Sequence, residues 1–369
     1  MESDKSNHES KSGDSQTDGS TPGSSKSDDS TPDGSKSGDS KSGGKKTIFR
    51  FFMGLVLSGL FMFLAARNVN WGSSFEAIKK ANPFWMAGGV GCLLLTYALF
   101  AGRWVCLARK SFSLTVKDAF SFIMIGHLGN TVMPLRLGDV TRGVLVAQTS
   151  KGGTVTVFTT MFLEKLLDLV AILLLVVWVM LHVRLPPVVQ TAAGFVALSV
   201  GVSFCVVLVF LLFPLSFKKS LYKLGEKLPK KVVSFIRKIT EQAGRGLSAF
   251  KNLPVLFLSL TLTIAAWITA AVGTWCYMEA FDFSLSWNAA VFLLVVINLG
   301  SAIPSSPGFI GVYHYLAVFA LGYWGVQKSE ALGYALATHL LNISTIIVFG
   351  GLCLWIKGIR YQQLKQQLK

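Results

Sequence analysis

Long apolar runs broken by short polar stretches dominate the chain. Runs at about 48–66, 83–107, 155–182, 188–213, 254–279 and 330–356 each approach or exceed the roughly 20 residues that cross a bilayer core as a helix. Two shorter apolar segments, 118–133 and 287–303, end in Pro- and Gly-rich sequence. The first is 16 residues long, about 24 Å as a helix, too short to cross comfortably. Both are expected to enter the membrane and return. The pattern therefore predicts an all-α polytopic membrane protein with about six full transmembrane helices and two re-entrant helical hairpins. Residues 218–250 follow a different rhythm. Leu221, Leu224, Leu228, Val232, Phe235, Ile236 and Ile239 recur at helical spacing, with Lys and Arg opposite. That is the pattern of a helix lying on an anionic leaflet, with Pro229 expected to break it in two.

The chain resembles itself at an offset of 171 residues. Residues 102–130 laid over 273–301 give eight identities in 29 ungapped positions, among them Gly102/Gly273, Trp104/Trp275, Leu114/Leu285 and Gly129/Gly300. Pro83/Pro254 extends the register. Basic residues orient the copies. With the N-terminus in the cytoplasm, 22 basic residues fall inside, counting four at 103–117 and ten at 214–252, against five outside. Cytoplasmic loops carry such an excess. Span 83–107 then runs outward to inward and 254–279 the reverse. The copies form an inverted repeat, an arrangement found in transporters that alternate access about a midplane site. Repeat 1 covers about 83–183, a basic linker 214–252, and repeat 2 about 254–357. Both termini are expected in the cytoplasm, and the setting is expected to be the cell membrane.

Composition agrees. Apolar residues make up 51% and charged residues only 15% of the chain, against about 25% charged in soluble domains. The net charge of +16 lies beside apolar spans, so topology explains it better than nucleic acid. Residues 1–46 are Ser-, Gly-, Asp- and Lys-rich without an aromatic residue, and are expected to be a disordered tail preceding the membrane domain at 47–369. The five cysteines lie in apolar runs without CxxC or Cys/His clustering, so neither a disulfide framework nor a metal site is expected.

The candidate chemistry lies at the hairpin tips. The first reads Pro134-Leu135-Arg136-Leu137-Gly138-Asp139-Val140-Thr141-Arg142. Arg136, Asp139 and Arg142 are three apart and share a helix face. The next span holds Glu164, Lys165 and Asp168, with Glu164 and Asp168 four apart. Ionisable residues at membrane depth are expensive and carry a partner or a task. An ion-pair network fixing the hairpin to the span is one reading. A site in which arginine binds a lipid phosphate while carboxylates orient the guanidinium is the other. The second tip, Pro304-Ser305-Ser306-Pro307-Gly308-Phe309-Ile310-Gly311, precedes His314. Its prolines interrupt a helix and its glycines permit close backbone approach. Pro134, Pro304, Pro307, Gly308 and His314 join the candidate substrate-binding set; His127 and His339 read as packing residues.

These three motifs in order, over residues 48–357, resemble the lysylphosphatidylglycerol synthase transmembrane (flippase-like) family, whose pattern is roughly Pro-x-Arg-x-Gly-acid-x-x-Arg, Glu-Arg-x-x-Asp and Pro-x-x-Pro-Gly-x-x-Gly. The resemblance implies the membrane domain of lipid-aminoacylating enzymes, a region credited with moving lipid between leaflets. Lys165 stands where Arg is usual, Asp139 where Glu is common, and His314 where many members carry an acid. About a dozen residues follow the last span, so no synthase domain, cofactor or transferase activity is expected of this stretch. The leading expectation is a translocase for a phosphate-bearing lipid, phospholipid or polyprenyl-phosphate-linked. The alternative is the membrane component of a glycosyl- or aminoacyl-lipid synthesis system with a lipid-modifying transferase as partner. An Arg/Asp/Glu cluster without a nucleophile or metal set suits binding better than catalysis.

Overall fold

The computed structural model describes residues 40–133, 137–149, 153–184, 230–300 and 306–358, with most of 186–202. Two units result, Met1–Lys45 and Lys46–Lys369; apart from the first residues of α1, everything that follows lies in the second. Among the described residues all regular structure is helical. The α-helices are α1 (Ser40–Ala66), α2 (Trp71–Lys80), α3 (Pro83–Ala108), α4 (Val116–Val132), α5 (Gly138–Thr149), α6 (Thr154–His182), α7 (Lys230–Gly246), α8 (Leu253–Ala280), α9 (Trp287–Gly300), α10 (Val312–Tyr323) and α11 (Lys328–Ile356). Further helical residues lie within 187–202. Short 3-10 turns occupy Leu247–Lys251 and Pro307–Phe309.

Helix starts follow local chemistry. Asn82 accepts from the Phe84 N–H ahead of α3, and Asn252 from the Val255 N–H ahead of α8, each with proline in the first turn. Thr115 accepts from the Asp118 N–H ahead of α4. Helices α3, α8 and α11 are long and apolar enough to cross a membrane, and Phe52–Ala66 with α2, bent by 87°, makes a fourth candidate. Helix α6 has the same 29 residues as α11 but carries Glu164, Lys165 and Asp168. Of the predicted span 188–213 and interfacial segment 218–250, residues 203–229, Pro229 among them, lie outside the described residues. Residues 1–39 of the predicted tail also lie outside; α1 begins at Ser40, ahead of its apolar run. Helices α2 and α10 went unpredicted.

Helix lengths follow a similar order in the two halves. Pairs α3/α8, α4/α9, α5/α10 and α6/α11 have 26 and 28, 17 and 14, 12 and 12, and 29 and 29 residues. Helices α3 and α8 pack against each other along their length. Gly88 meets Cys276, Gly89 meets Tyr277, Cys92 meets Gly273 and Gly102 meets Leu262. Thr96 Oγ1 donates to the Ala266 carbonyl at 3.4 Å. Partner numbers fall as those on α3 rise, so the helices run antiparallel. Glycine permits the approach, since a Cβ on Gly89 would lie 2.2 Å from the Tyr277 ring.

Contacts sort the loops into two ends. At one, the Asn82 N–H donates to the Ala280 carbonyl, Lys328 to the Leu64 and Arg67 carbonyls, and Tyr323 to the Arg184 carbonyl. At the other, Ser111 donates to the Arg245 carbonyl, the Val155 N–H to Gln242, and Lys357 pairs with Asp118. Hairpin α4–α5 starts at this second end, beside Lys357, and α6 follows it from there, where Gly153 packs on Gln242. In hairpin α9–α10, α9 starts beside Trp178 of α6, whose Nε1 donates to Asn288, and Tyr323 closes α10 at the first end. The two hairpins touch where Gly308 lies against the Thr131 carbonyl.

Candidate functional site

Helix α6 sets the site. Glu164 and Asp168 are one turn apart, about 15 and 21 Å from its start at 1.5 Å per residue, mid-way along it. Helix α5 supplies Asp139 and Arg142. It is brought close by a crossing with α4 that only glycine permits: a Cβ on Gly138 would lie 1.9 Å from the Gly126 carbonyl oxygen. Helix α3 supplies Arg103, which the charge count had placed among cytoplasmic loop residues. That assignment is corrected: Arg103 is 2% exposed, inside the bundle, because two α6 carboxylates balance its charge.

The ion pairs form one network. Arg103 Nη1 donates to Asp168 Oδ1 at 2.5 Å and Nη2 to Oδ2 at 3.4 Å, a two-toothed pairing that a planar guanidinium suits. Arg103 Nη1 also reaches Thr263 Oγ1 at 3.3 Å, and Nη2 lies 3.7 Å from Glu164 Oε1. Arg142 Nη2 donates to Glu164 Oε2 at 3.2 Å and lies 3.7 Å from Asp139 Oδ1. Its guanidinium sits 4.6 Å over the Trp104 ring, a cation–π contact. Lys165 Nζ lies 4.0 Å from Asp139 Oδ2. Side-chain exposure grades from 3% and 2% at Arg103 and Glu164 to 39% at Asp139 and 60% at Lys165. The cluster therefore has a buried floor and an open mouth. It lines a cavity of about 290 Å³ whose remaining wall includes Tyr97, His127, Trp267 and Asn298. The Nε donors of Arg103 and Arg142 and Glu164 Oε1 are buried without a hydrogen-bond partner.

The structure brings Asp139, Arg142, Glu164 and Asp168 together, with Arg103 and Lys165 beside them. Arg103 was the residue missed; its signal was a cation inside an apolar run, directly before Trp104. Pro134, Arg136 and Pro304 lie outside the described residues. Pro307, Gly308 and His314 do not line this cavity. They belong to the second tip, where Gly308 and Gly311 take φ of 71° and 85° and His314 is buried.

Apolar helices of crossing length around an internal charged cluster define a membrane protein. Its residues 51–350 match the family described as the lysylphosphatidylglycerol synthase TM region, and the chain belongs to that family. It is also similar to a UPF0104 membrane protein of Methanocaldococcus jannaschii, 24% identical over 227 residues, which cover 62% of this chain and 93% of the relative. A second UPF0104 membrane protein, from Methanothermobacter thermautotrophicus, is 23% identical over 295 residues, covering 74% of this chain and 86% of the relative. No solved structure matches the chain.

Proposed function

We propose that this protein is a lipid translocase that moves the headgroup of a phosphate-bearing lipid, phospholipid or polyprenyl-phosphate-linked, through the Arg103/Arg142 cavity while the acyl chains stay in the bilayer. The supporting observation is the graded cluster itself. Two buried guanidinia at its floor keep unpartnered Nε donors, and a half-exposed Lys165 stands at its mouth. A phosphate meets Lys165 first and then exchanges with carboxylates for the guanidinia. Such a route lowers the barrier that hydrocarbon presents to a bare phosphate. Glu164 and Asp168 keep the empty site from being an uncompensated cation cluster.

In this reading the four helix pairs form an inverted repeat, with α4–α5 and α9–α10 as re-entrant hairpins entering from opposite faces. The chain completes about six full spans in the cell membrane, with both termini cytoplasmic. The end carrying Arg109, Lys110, Lys117, Lys357 and helix α7 then faces the cytoplasm, and the basic face of α7 rests on the anionic leaflet. The test is movement of a phosphate-bearing lipid and of a neutral diacylglycerol analogue in the same proteoliposomes. Protein-dependent movement of the first alone, abolished by Arg142→Ala, is expected. Equal movement of both, untouched by Arg142→Ala, would exclude phosphate recognition by this cluster.

A further inference from the structure

The second hairpin carries a polar cluster of its own. At an offset of 174 residues, the separation of the first residues of α6 and α11, four members of the charged site have a polar counterpart without a fixed charge. Asp139 corresponds to Tyr313, Glu164 to Thr338, Lys165 to His339 and Asp168 to Asn342. These counterparts are also in contact. The Tyr313 and Thr338 hydroxyls are 3.1 Å apart, and Tyr277 donates to Asn342 Oδ1 at 2.7 Å. Where repeat 1 pairs Asp139 with Lys165, repeat 2 stacks Tyr313 on His339, with centroids 4.3 Å apart. His314 then packs edge-on against His339 at 4.9 Å.

His314 holds the tip, and His339 packs on His314. The Gly311 N–H donates to His314 Nδ1 at 3.3 Å, so that nitrogen carries a lone pair and the ring is neutral. His314 is the third residue of α10 and reaches back to the N–H just ahead of the helix, the role glutamate or glutamine plays in a capping box. His339 stacks on Tyr313 of α10 and meets the His314 ring edge-on. Gly308 lies against Thr131 of the first tip, Gly311 against the Ser58 backbone of α1, and the Ser306 N–H donates to Ser58 Oγ at 2.8 Å. His314, with His339 packed on it, thus caps the segment that meets the first tip and α1.

We propose that His314 and His339 form a proton-binding latch on the second hairpin, closed when both rings are neutral and released when one takes a proton. A proton on His314 Nδ1 removes the acceptor for Gly311 and sets a cation at a helix N-terminus, where the backbone dipole opposes it. A proton on His339 places a cation where repeat 1 has Lys165, opposite Tyr313 instead of a carboxylate. Tyr313 packs on both rings; its hydroxyl is shared with Thr338, and Tyr277 donates to Asn342 one turn on from Thr338, all uncharged. Among the described residues no carboxylate pairs with either ring. The closed tip cannot accommodate the charge, so proton uptake and opening are linked.

The test reads the tip, not transport, and so stands apart from the translocase reading. Hydrogen exchange of peptides covering residues 308–315 is followed in nanodiscs between about pH 8 and pH 4.5, corrected for intrinsic rates, with α8 as internal control. Wild type is expected to lose protection by about tenfold at the acid end, while α8 holds its own. His314→Gln keeps an acceptor for Gly311 but cannot take the proton, and with His339→Gln it is expected to abolish the pH response. Unchanged wild-type protection across the range overturns the latch even if neither variant folds. An equal loss in the double variant also overturns it, assigning the response to other groups.

Discussion

Replacing Arg103 by leucine should show that the network is a matched set. The change removes the two-toothed bond to Asp168, the 3.7 Å approach to Glu164 and the contact of Arg103 with the Phe100 ring at 4.6 Å. Glu164 keeps Arg142 at 3.2 Å, but Asp168 loses its guanidinium. Breaking one side of a buried pair costs about 3–5 kcal/mol, and Asp168, 17% exposed, places the expectation near about 3 kcal/mol. Asp168→Leu alone strands Arg103 instead, with Thr263 at 3.3 Å and Glu164 at 3.7 Å left to it. The double variant Arg103→Leu/Asp168→Leu strands neither charge. It should lie within about 1–2 kcal/mol of wild type, since well-packed apolar residues often replace a buried pair at little cost. The assay is reversible unfolding in mixed micelles at rising SDS fraction, read as a double-mutant cycle. A coupling of about 2 kcal/mol or more is expected; additivity within about 0.5 kcal/mol would refute the claim that each charge is there for the other.

Three further outcomes are expected. Gly311→Ala forces a side chain onto φ of 85° and a Cβ to 2.1 Å from the Ser58 carbonyl oxygen. It should destabilise by about 3 kcal/mol, whereas Gly322→Ala, with open space around it, should be neutral or stabilising in the same unfolding assay. The hydrogen bond from Lys357, helped by that from Thr115, holds the Asp118 carboxyl below the usual carboxylate range. The stability this adds is present above the ordinary carboxylate value and is lost as pH falls through the lowered one. The gap between wild type and Lys357→Gln, about 0.5 kcal/mol at neutral pH for a part-exposed pair, should therefore close on acidification; a gap constant down to about pH 3 would contradict it. Arg142→Lys keeps the charge but not the planar fork over Trp104, and should lose most lipid movement in proteoliposomes while inserting normally.

The main helices were legible because a membrane span is written in local composition. Predicted bounds 83–107, 254–279 and 330–356 became Pro83–Ala108, Leu253–Ala280 and Lys328–Ile356. The shorter pieces were harder. Helix α2 has ten residues and a mixed surface, and α10 begins only after a glycine at positive φ, so neither shows a long apolar period. At the site, the spacings 139/142 and 164/168 encode a shared helix face, and the structure joins those faces. Arg103 was hidden because its partners lie 65 and 61 positions away, on a helix whose packing against α3 no local pattern reveals. The histidines were hidden for a similar reason. His339 reads as an isolated polar residue until the 174-residue correspondence sets it opposite Lys165.

The graded cluster has an electrical consequence. Among the described residues lining the cavity, Arg103, Arg142 and Lys165 face Asp139, Glu164 and Asp168, so the formal charges of that set cancel. Carrying one elementary charge through 100 mV is worth about 2.3 kcal/mol. A rearrangement that shifts this set as a body feels almost none of that force. In the proposed translocation, current across the membrane would then report what else moves: the charge of the headgroup, and any proton bound on the second hairpin.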